Sequence, residues 1–207
     1  MNKFSYPLNL PFLVSQKWNE NPEYYNKIGM KGHNGWDFSV PEGTKVFAVH
    51  DGTVWFSGVD GTMSNTILID TIDGTLRTAY AHLSILKVNN GDKVKKGQLI
   101  ALSGNTGRYT SGPHLHFGVH TINNYSDIDR YNGYNGCVDP AKYWDGSYPS
   151  SSEVRTTEQT TAFLAMQKAI LDFQVAVGIK DFVGKQLSSV VYGEKTKQAV
   201  LKIKSQL

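Results

Sequence analysis

Thr66-Ile67-Leu68-Ile69-Asp70-Thr71-Ile72-Asp73-Gly74-Thr75-Leu76 decides the fold class. Its first four residues are apolar or β-branched, the types that suit a pleated surface, and the run is short for a helix. Asp73-Gly74 then supplies the backbone freedom of a tight hairpin turn, so the chain is expected to double back as an antiparallel pair. Working outward, Val46-Phe47-Ala48-Val49 and Thr53-Val54-Trp55-Phe56 are further strand-like runs, set off by turn signals at Asp51-Gly52 and Gly58…Gly61. Leu99-Ile100-Ala101-Leu102 and His116-Phe117-Gly118-Val119 add two more. No long helical period runs through residues 44–119. The expectation is a mainly β domain of antiparallel sheets, with histidines at one end of a groove.

Two Gly-rich segments beside these runs carry the chemistry: His33-Asn34-Gly35-Trp36-Asp37 and Pro113-His114-Leu115-His116-Phe117. They offer nitrogen and oxygen ligands without sulfur, a set that suits a catalytic zinc ion better than a structural one. In a straight strand His33 and Asp37 would stand about 13 Å apart and could not share a metal. The glycines and asparagine make a poor helix, so the segment is expected to bend, with Gly35 supplying the freedom. His114 and His116 alternate on one face of a strand. One can be a ligand while the other stands beside the metal.

With these residues in view, the chain resembles the lysostaphin/LytM-type zinc endopeptidases, which cut peptide bonds in bacterial peptidoglycan. The resemblance runs from about Lys31 to Val119, with Val138-Asp139-Pro140 as its tail. It includes His33-Asn34-Gly35-Trp36-Asp37-Phe38, Val40-Pro41-Glu42-Gly43-Thr44-Lys45-Val46 and Tyr80-Ala81-His82-Leu83-Ser84. Gly91-Asp92-Lys93-Val94-Lys95-Lys96-Gly97-Gln98 and Gly104-Asn105-Thr106-Gly107-Arg108 follow, leading into His114-Leu115-His116-Phe117. The resemblance implies one zinc ion bound by His33, Asp37 and His116, with His82 and His114 as catalytic histidines. No helical His-Glu-x-x-His is present, so a histidine is expected to be the base. His114 is assigned that role and His82 the stabilisation of the tetrahedral intermediate, and the two roles are interchangeable at this level. His50 and His120 lie outside the motifs and are taken as structural or surface residues.

The 207 residues allow one medium domain and a small one. Residues 1–148 are read as the catalytic domain and the small polar residues of 149–159 as a linker. In 160–207, Phe163, Met166, Ile170, Phe173 and Val177 form a helical stripe, and Val200, Ile203 and Leu207 a second. This tail resembles the small helical peptidoglycan-binding module through Asp172-Phe173-Gln174, Gly178-Ile179 and Tyr192-Gly193-Glu194-Lys195-Thr196, and departs from it over Lys185–Val191. The tail also carries the charge imbalance: residues 1–150 hold 13 basic and 13 acidic groups, and 151–207 hold 8 and 5. That suits anionic wall polymers, whereas no basic stripe with interleaved aromatics argues for nucleic acid.

No run approaches the roughly 18 apolar residues of a membrane helix, and no signal peptide is visible. The expected site of action is the cell wall, reached by release on lysis, on a virion or as a mature secreted form, with the chain a monomer. A phage-type endolysin or wall hydrolase is the expected function. The alternatives are a wall-binding regulator or virion structural protein of the same fold, and a biotinyl/lipoyl carrier suggested by Gly91–Gly97 alone. A metal-free regulator normally loses ligands and a carrier needs none of the five ordered His and Asp positions, whereas a virion protein carrying a wall-cutting domain keeps the same chemistry.

Overall fold

A computed structural model describes residues 3–147, apart from 10, 11, 62, 109, 111, 124 and 125. The linker and the helical tail expected at 149–207 lie outside the described residues. Along the chain run β1 (Leu13–Gln16), a short helix α1 (Pro22–Tyr25), β2 (Trp36–Ser39), β3 (Lys45–Phe47), β4 (Gly52–Asp60), β5 (Ser64–Thr71) and β6 (Leu76–Ala81). Then come β7 (Ile85–Leu86), β8 (Lys93–Val94), β9 (Leu99–Leu102), β10 (His114–Asn123), β11 (Ser126–Asp127) and β12 (Cys137–Val138). Among the described residues they form a nine-stranded sheet and a three-stranded one. In the large sheet the order is β1-β2-β10-β6-β5-β4-β8, with β11 and β12 also paired to β10; the small sheet is β3-β9-β7. No helix among the described residues is long and apolar enough to cross a membrane.

The expected hairpin is present as β5–β6, with Asp70 opposite Arg77 and Ile67 opposite Tyr80. Asp73 fixes its turn: one carboxylate oxygen accepts from the Thr71 hydroxyl at 2.7 Å and the Thr75 hydroxyl at 2.8 Å. Of the two outlying turn signals, Asp51 and Gly61 do lie in a bend and a turn, whereas Gly58 does not. Gly52 is the first residue of β4, and Gly58 lies within that strand opposite Thr66, so the chain turns only after Asp60. A glycine marks a turn only when the strand around it is too short to pair, and here the pairing with β5 continues through it.

Alternation divides the large sheet into two faces. Phe38, Ile67, Ile69, Tyr80, Leu115 and Phe117 are wholly buried and pack in one core with Val46 and Ile100 from the small sheet side. Phe4 and Leu8 of the N-terminal segment are also wholly buried. Burying side chains of this size contributes about 1.5–3 kcal/mol each. Tyr80 ties the layers together, its hydroxyl accepting from the Val49 backbone amide at 3.0 Å. On the opposite face of β10 stand His114, His116 and His120, and next to them on β6 and β5 the buried Arg77–Asp70 ion pair.

Candidate active site

His33, Asp37 and His116 converge. The His33 Nε2 atom lies 3.2 Å from Asp37 Oδ1, the His116 Nδ1 atom lies 2.9 Å from the same oxygen, and the two nitrogens are 3.0 Å apart. Among the described residues this is the group of three potential ligands whose donor atoms all lie within 4.8 Å of one another. Tetrahedral ligands at the usual 2.0–2.2 Å from zinc stand about 3.3–3.6 Å apart, so the triangle has nearly the edge lengths such an ion needs. Its sequence origin is the β2–β10 pairing, which sets Asp37 directly opposite His116. His33 reaches the same point because the chain bends ahead of β2, as the ligand spacing required.

Gly35 is needed there for space rather than for a left-handed backbone. A Cβ at that position would meet the Phe117 carbonyl oxygen and approach His116 Cε1 to 2.8 Å. The expected reason was backbone freedom; the observed one is the closeness of the Phe117 carbonyl and of the His116 ring.

The hydrogen bonds of each ring decide which nitrogen carries its lone pair. The His33 Nδ1–H donates to the Lys17 carbonyl at 3.1 Å, which leaves Nε2 free to bind a cation. His116 presents Nδ1 to the triangle. Asp37 is largely buried, its side chain 13% exposed to the pocket: burial works to raise its pKa, but the charge of His33 and hydrogen bonds from His116 and His33 hold it well below the usual carboxylate range. Burial lowers the His116 pKa despite Asp37 beside it. A buried carboxylate facing two ring nitrogens is a donor set that a divalent cation satisfies.

His82 and His114 stand together beside the triangle, ring centroids 4.7 Å apart. The His82 Nδ1–H donates to the Thr106 carbonyl at 2.8 Å and the His114 Nδ1–H to the Gly112 carbonyl at 2.7 Å. Both therefore keep Nε2 for the pocket, and that of His114 is 3.9 Å from Asp37 Oδ1. Burial, reinforced by the neighbouring His114 and His116, pushes the His82 pKa down to about 4. His82 also sits at φ 60, a left-handed conformation that few non-glycine residues adopt. Gly104 makes room for that turn, since a Cβ there would lie 2.5 Å from the Ser84 amide nitrogen and 2.8 Å from the His82 carbonyl oxygen.

The pocket walls come from places with no readable pattern: Tyr24, Tyr25, Ile28 and Met30 on one side, Met63 and Asn135 on others. All six lie outside the motif runs that carry the site's histidines and aspartate. Asn135 was missed, because a polar loop residue gives no sequence signal. His50 and His120 are outside the site. His50 bonds the Thr78 hydroxyl at 3.0 Å, and His120 bridges Asp127 at 3.3 Å and Cys137 Sγ at 3.2 Å.

Residues 31–129 match peptidase family M23. The chain is 38% identical over 112 residues to the peptidoglycan DD-endopeptidase ShyA of Vibrio cholerae, a match covering 54% of this chain and 26% of that protein. A zinc-containing peptidase from Vibrio cholerae superposes with a TM-score of 0.53 at 32% identity, covering 67% of this chain and 39% of the other. The catalytic domain of lysostaphin from Staphylococcus simulans is 31% identical, with 96% of it and 59% of this chain covered, at a TM-score of 0.48. The chain thus spans about a quarter of the curated relative's length. Residues 31–129 are thus a peptidase family M23 domain, with an antiparallel β architecture like that of the Vibrio cholerae peptidase.

Proposed function

We propose that this chain is a zinc-dependent endopeptidase that hydrolyses peptide bonds of peptidoglycan at the cell wall. His33, Asp37 and His116 hold the metal. The observation that carries the reading is the triangle of His33 Nε2, Asp37 Oδ1 and His116 Nδ1, with edges of 2.9–3.2 Å. A zinc ion bound there supplies a Lewis acid for the scissile carbonyl and brings the pKa of a water near 7.

The chain's own groups handle the protons. His114 Nε2 faces the pocket with its lone pair, because Nδ1–H is committed to the Gly112 carbonyl. It takes a proton from the attacking water and returns it to the leaving amine. His82 is neutral at working pH and offers Nε2 as an acceptor, by the same argument from Thr106. It therefore orients the attacking water first, and can donate to the tetrahedral oxygen only after receiving a proton. That refines the stabilising role expected from sequence. The relatives include both a peptidoglycan DD-endopeptidase and a glycyl-glycine endopeptidase of Staphylococcus capitis; mass spectrometry of fragments from walls with D-Ala-containing cross-links and from walls with glycine bridges separates the two. Clearing of intact cells by added protein tests the endolysin-like role.

Metal content and peptide turnover, measured on four variants, test the assignment. His116→Ala and Asp37→Ala should lose both. His82→Ala and His114→Ala should keep most of the metal and lose about 10²-fold or more in turnover. The double variant should lose less than the product of the singles, because both rings serve one transition state. A His114→Ala protein emptied of zinc, beside a His116→Ala protein that retains it, would reverse the two roles.

A further inference from the structure

The sheet face that carries the His/Asp triangle extends across β6 and β5 to β4. On β10, His116 and His120 share that face. His120 lies opposite Arg77, Arg77 opposite Asp70, Asp70 opposite Thr53, and Thr53 opposite Lys93 on β8. This polar row therefore stands on the same side of the sheet as the triangle. Beside it, Trp55 occupies the extra position where β4 slips register against β5 between Val54 and Phe56, and such bulges re-aim a side chain.

Trp55 is 49% exposed, yet one face of its indole is covered by the Arg77 guanidinium, 3.8 Å from the ring centroid. Arg77 is itself locked, with Nε and Nη2 donating to the two Asp70 oxygens at 2.6 and 3.1 Å, and both residues are buried. A buried ion pair adds little stability against its desolvation cost, and a core does not need it to brace a ring that stands half in water. The indole borders an open groove of about 620 Å³ that also takes in Thr53, Ile72 and Lys93. Ile72 is 79% exposed, and Lys93 makes no ion pair among the described residues.

A flat aromatic face flanked by a hydroxyl and an ammonium group matches a pyranose. The C–H face of a sugar ring stacks on an indole, while its equatorial hydroxyl and acetamido groups look outward for donors and acceptors. A lipid or apolar peptide would leave Thr53 and Lys93 unused. Position agrees as well. Trp55 lies three strands and about three residues from His116, about 17 Å along the sheet. An extended peptide covers about 3.3–3.6 Å per residue, so four or five residues bridge that distance. In peptidoglycan the stem peptide hangs from a sugar and its fourth residue starts the cross-link.

The geometry points to Trp55, with Thr53 and Lys93, as a saccharide subsite that holds an amino sugar of the glycan strand while the attached peptide reaches the His33–Asp37–His116 centre. This assignment rests on the peptidoglycan reading above. It is tested by titrating the ¹⁵N-labelled full chain with the tetrasaccharide of N-acetylglucosamine. One indole N–H resonance should shift saturably, and it should be the resonance missing from Trp55→Phe. The Phe variant keeps a flat ring and should still bind. Trp55→Leu, with an otherwise unchanged spectrum, should bind about tenfold more weakly, as loss of one aromatic stack implies. On intact wall sacculi Trp55→Leu should raise KM by a similar factor at unchanged kcat, while glycan-free cross-linked peptide is turned over as by the parent. A Trp55 indole indifferent to the saccharide, or a Leu variant that binds it as tightly, overturns the assignment. If the chain digests neither substrate, the peptidoglycan reading fails, and the saccharide titration still decides whether Trp55 holds a sugar.

Discussion

Replacing Gly35 by alanine adds a single methyl group, and the site should register it twice. The new Cβ would meet the Phe117 carbonyl oxygen and lie 2.8 Å from His116 Cε1 and 3.0 Å from Nε2. Carbon atoms at contact stand about 3.5 Å or more apart, so the ring must retreat by about 0.7 Å, and the clash with the backbone carbonyl, which no ring movement relieves, must part β2 from β10 as well. Neither is easy, because His116 is buried and the strands are paired at Trp36–Phe117 and Asp37–His116. Overpacking of this kind costs about 1–3 kcal/mol. The same movement spreads the 2.9 Å contact between His116 Nδ1 and Asp37 Oδ1, and a shift of about 0.5 Å is enough to spoil a preorganised site. Urea denaturation of metal-free Gly35→Ala should show a loss of about 2 kcal/mol, and zinc titration an affinity at least about tenfold lower. Gly43→Ala is the control: at φ 85 with nothing within 4 Å of the added Cβ, it should cost about 1 kcal/mol through backbone strain alone and leave zinc binding intact. A Gly35→Ala protein that is as stable as the parent and binds zinc equally well would refute the idea that the His116 ring is held by a wall at position 35.

Three further outcomes follow from other features. The His82 pKa of about 4 in the fold lies below the ordinary value of 6.5. The unfolded chain therefore takes up a proton first, and stability is full above pH 6.5, falls as pH drops towards 4, and is level below that. His82→Gln should remove up to about 3 kcal/mol of this loss in metal-free urea titrations, while buried His50 and His116, shifted the same way, keep the remainder. Asp70→Asn strands the buried Arg77 charge and should cost about 3–5 kcal/mol, whereas the apolar pair Asp70→Leu with Arg77→Met should recover most of it in the same assay. A chain cut to residues 1–148 should hydrolyse soluble peptide like the parent but sediment less with insoluble walls; undiminished sedimentation would remove the wall-binding role from 160–207.

Legibility in the sequence depended on how local each cause was. The β5–β6 hairpin was readable because Asp73 and Gly74 act on their own backbone and immediate neighbours. His114 and His116 could be placed on one face because alternation is a property of the strand itself. The meeting of His33 with Asp37 was foreseen only as a bend, since what draws them together is β10, eighty residues away in sequence. The true function of Gly35, the left-handed turn at His82 and the arrival of Asn135 in the pocket all depend on such distant partners. Gly58 misled for the converse reason: a local turn signal was overruled by a pairing partner in β5.

The ten residues of β10 alternate between two duties, Leu115, Phe117 and Val119 inward, His114 and His116 outward. Inserting or deleting one residue anywhere in its first half would exchange those sets, placing imidazoles in the apolar core and bulky rings at the pocket. Such a change of register abolishes fold and chemistry together. Variation is free to accumulate instead in the loops that bring Tyr24, Met30, Met63 and Asn135 to the rim. A scaffold of this kind diversifies in what it grips long before it can change what it does.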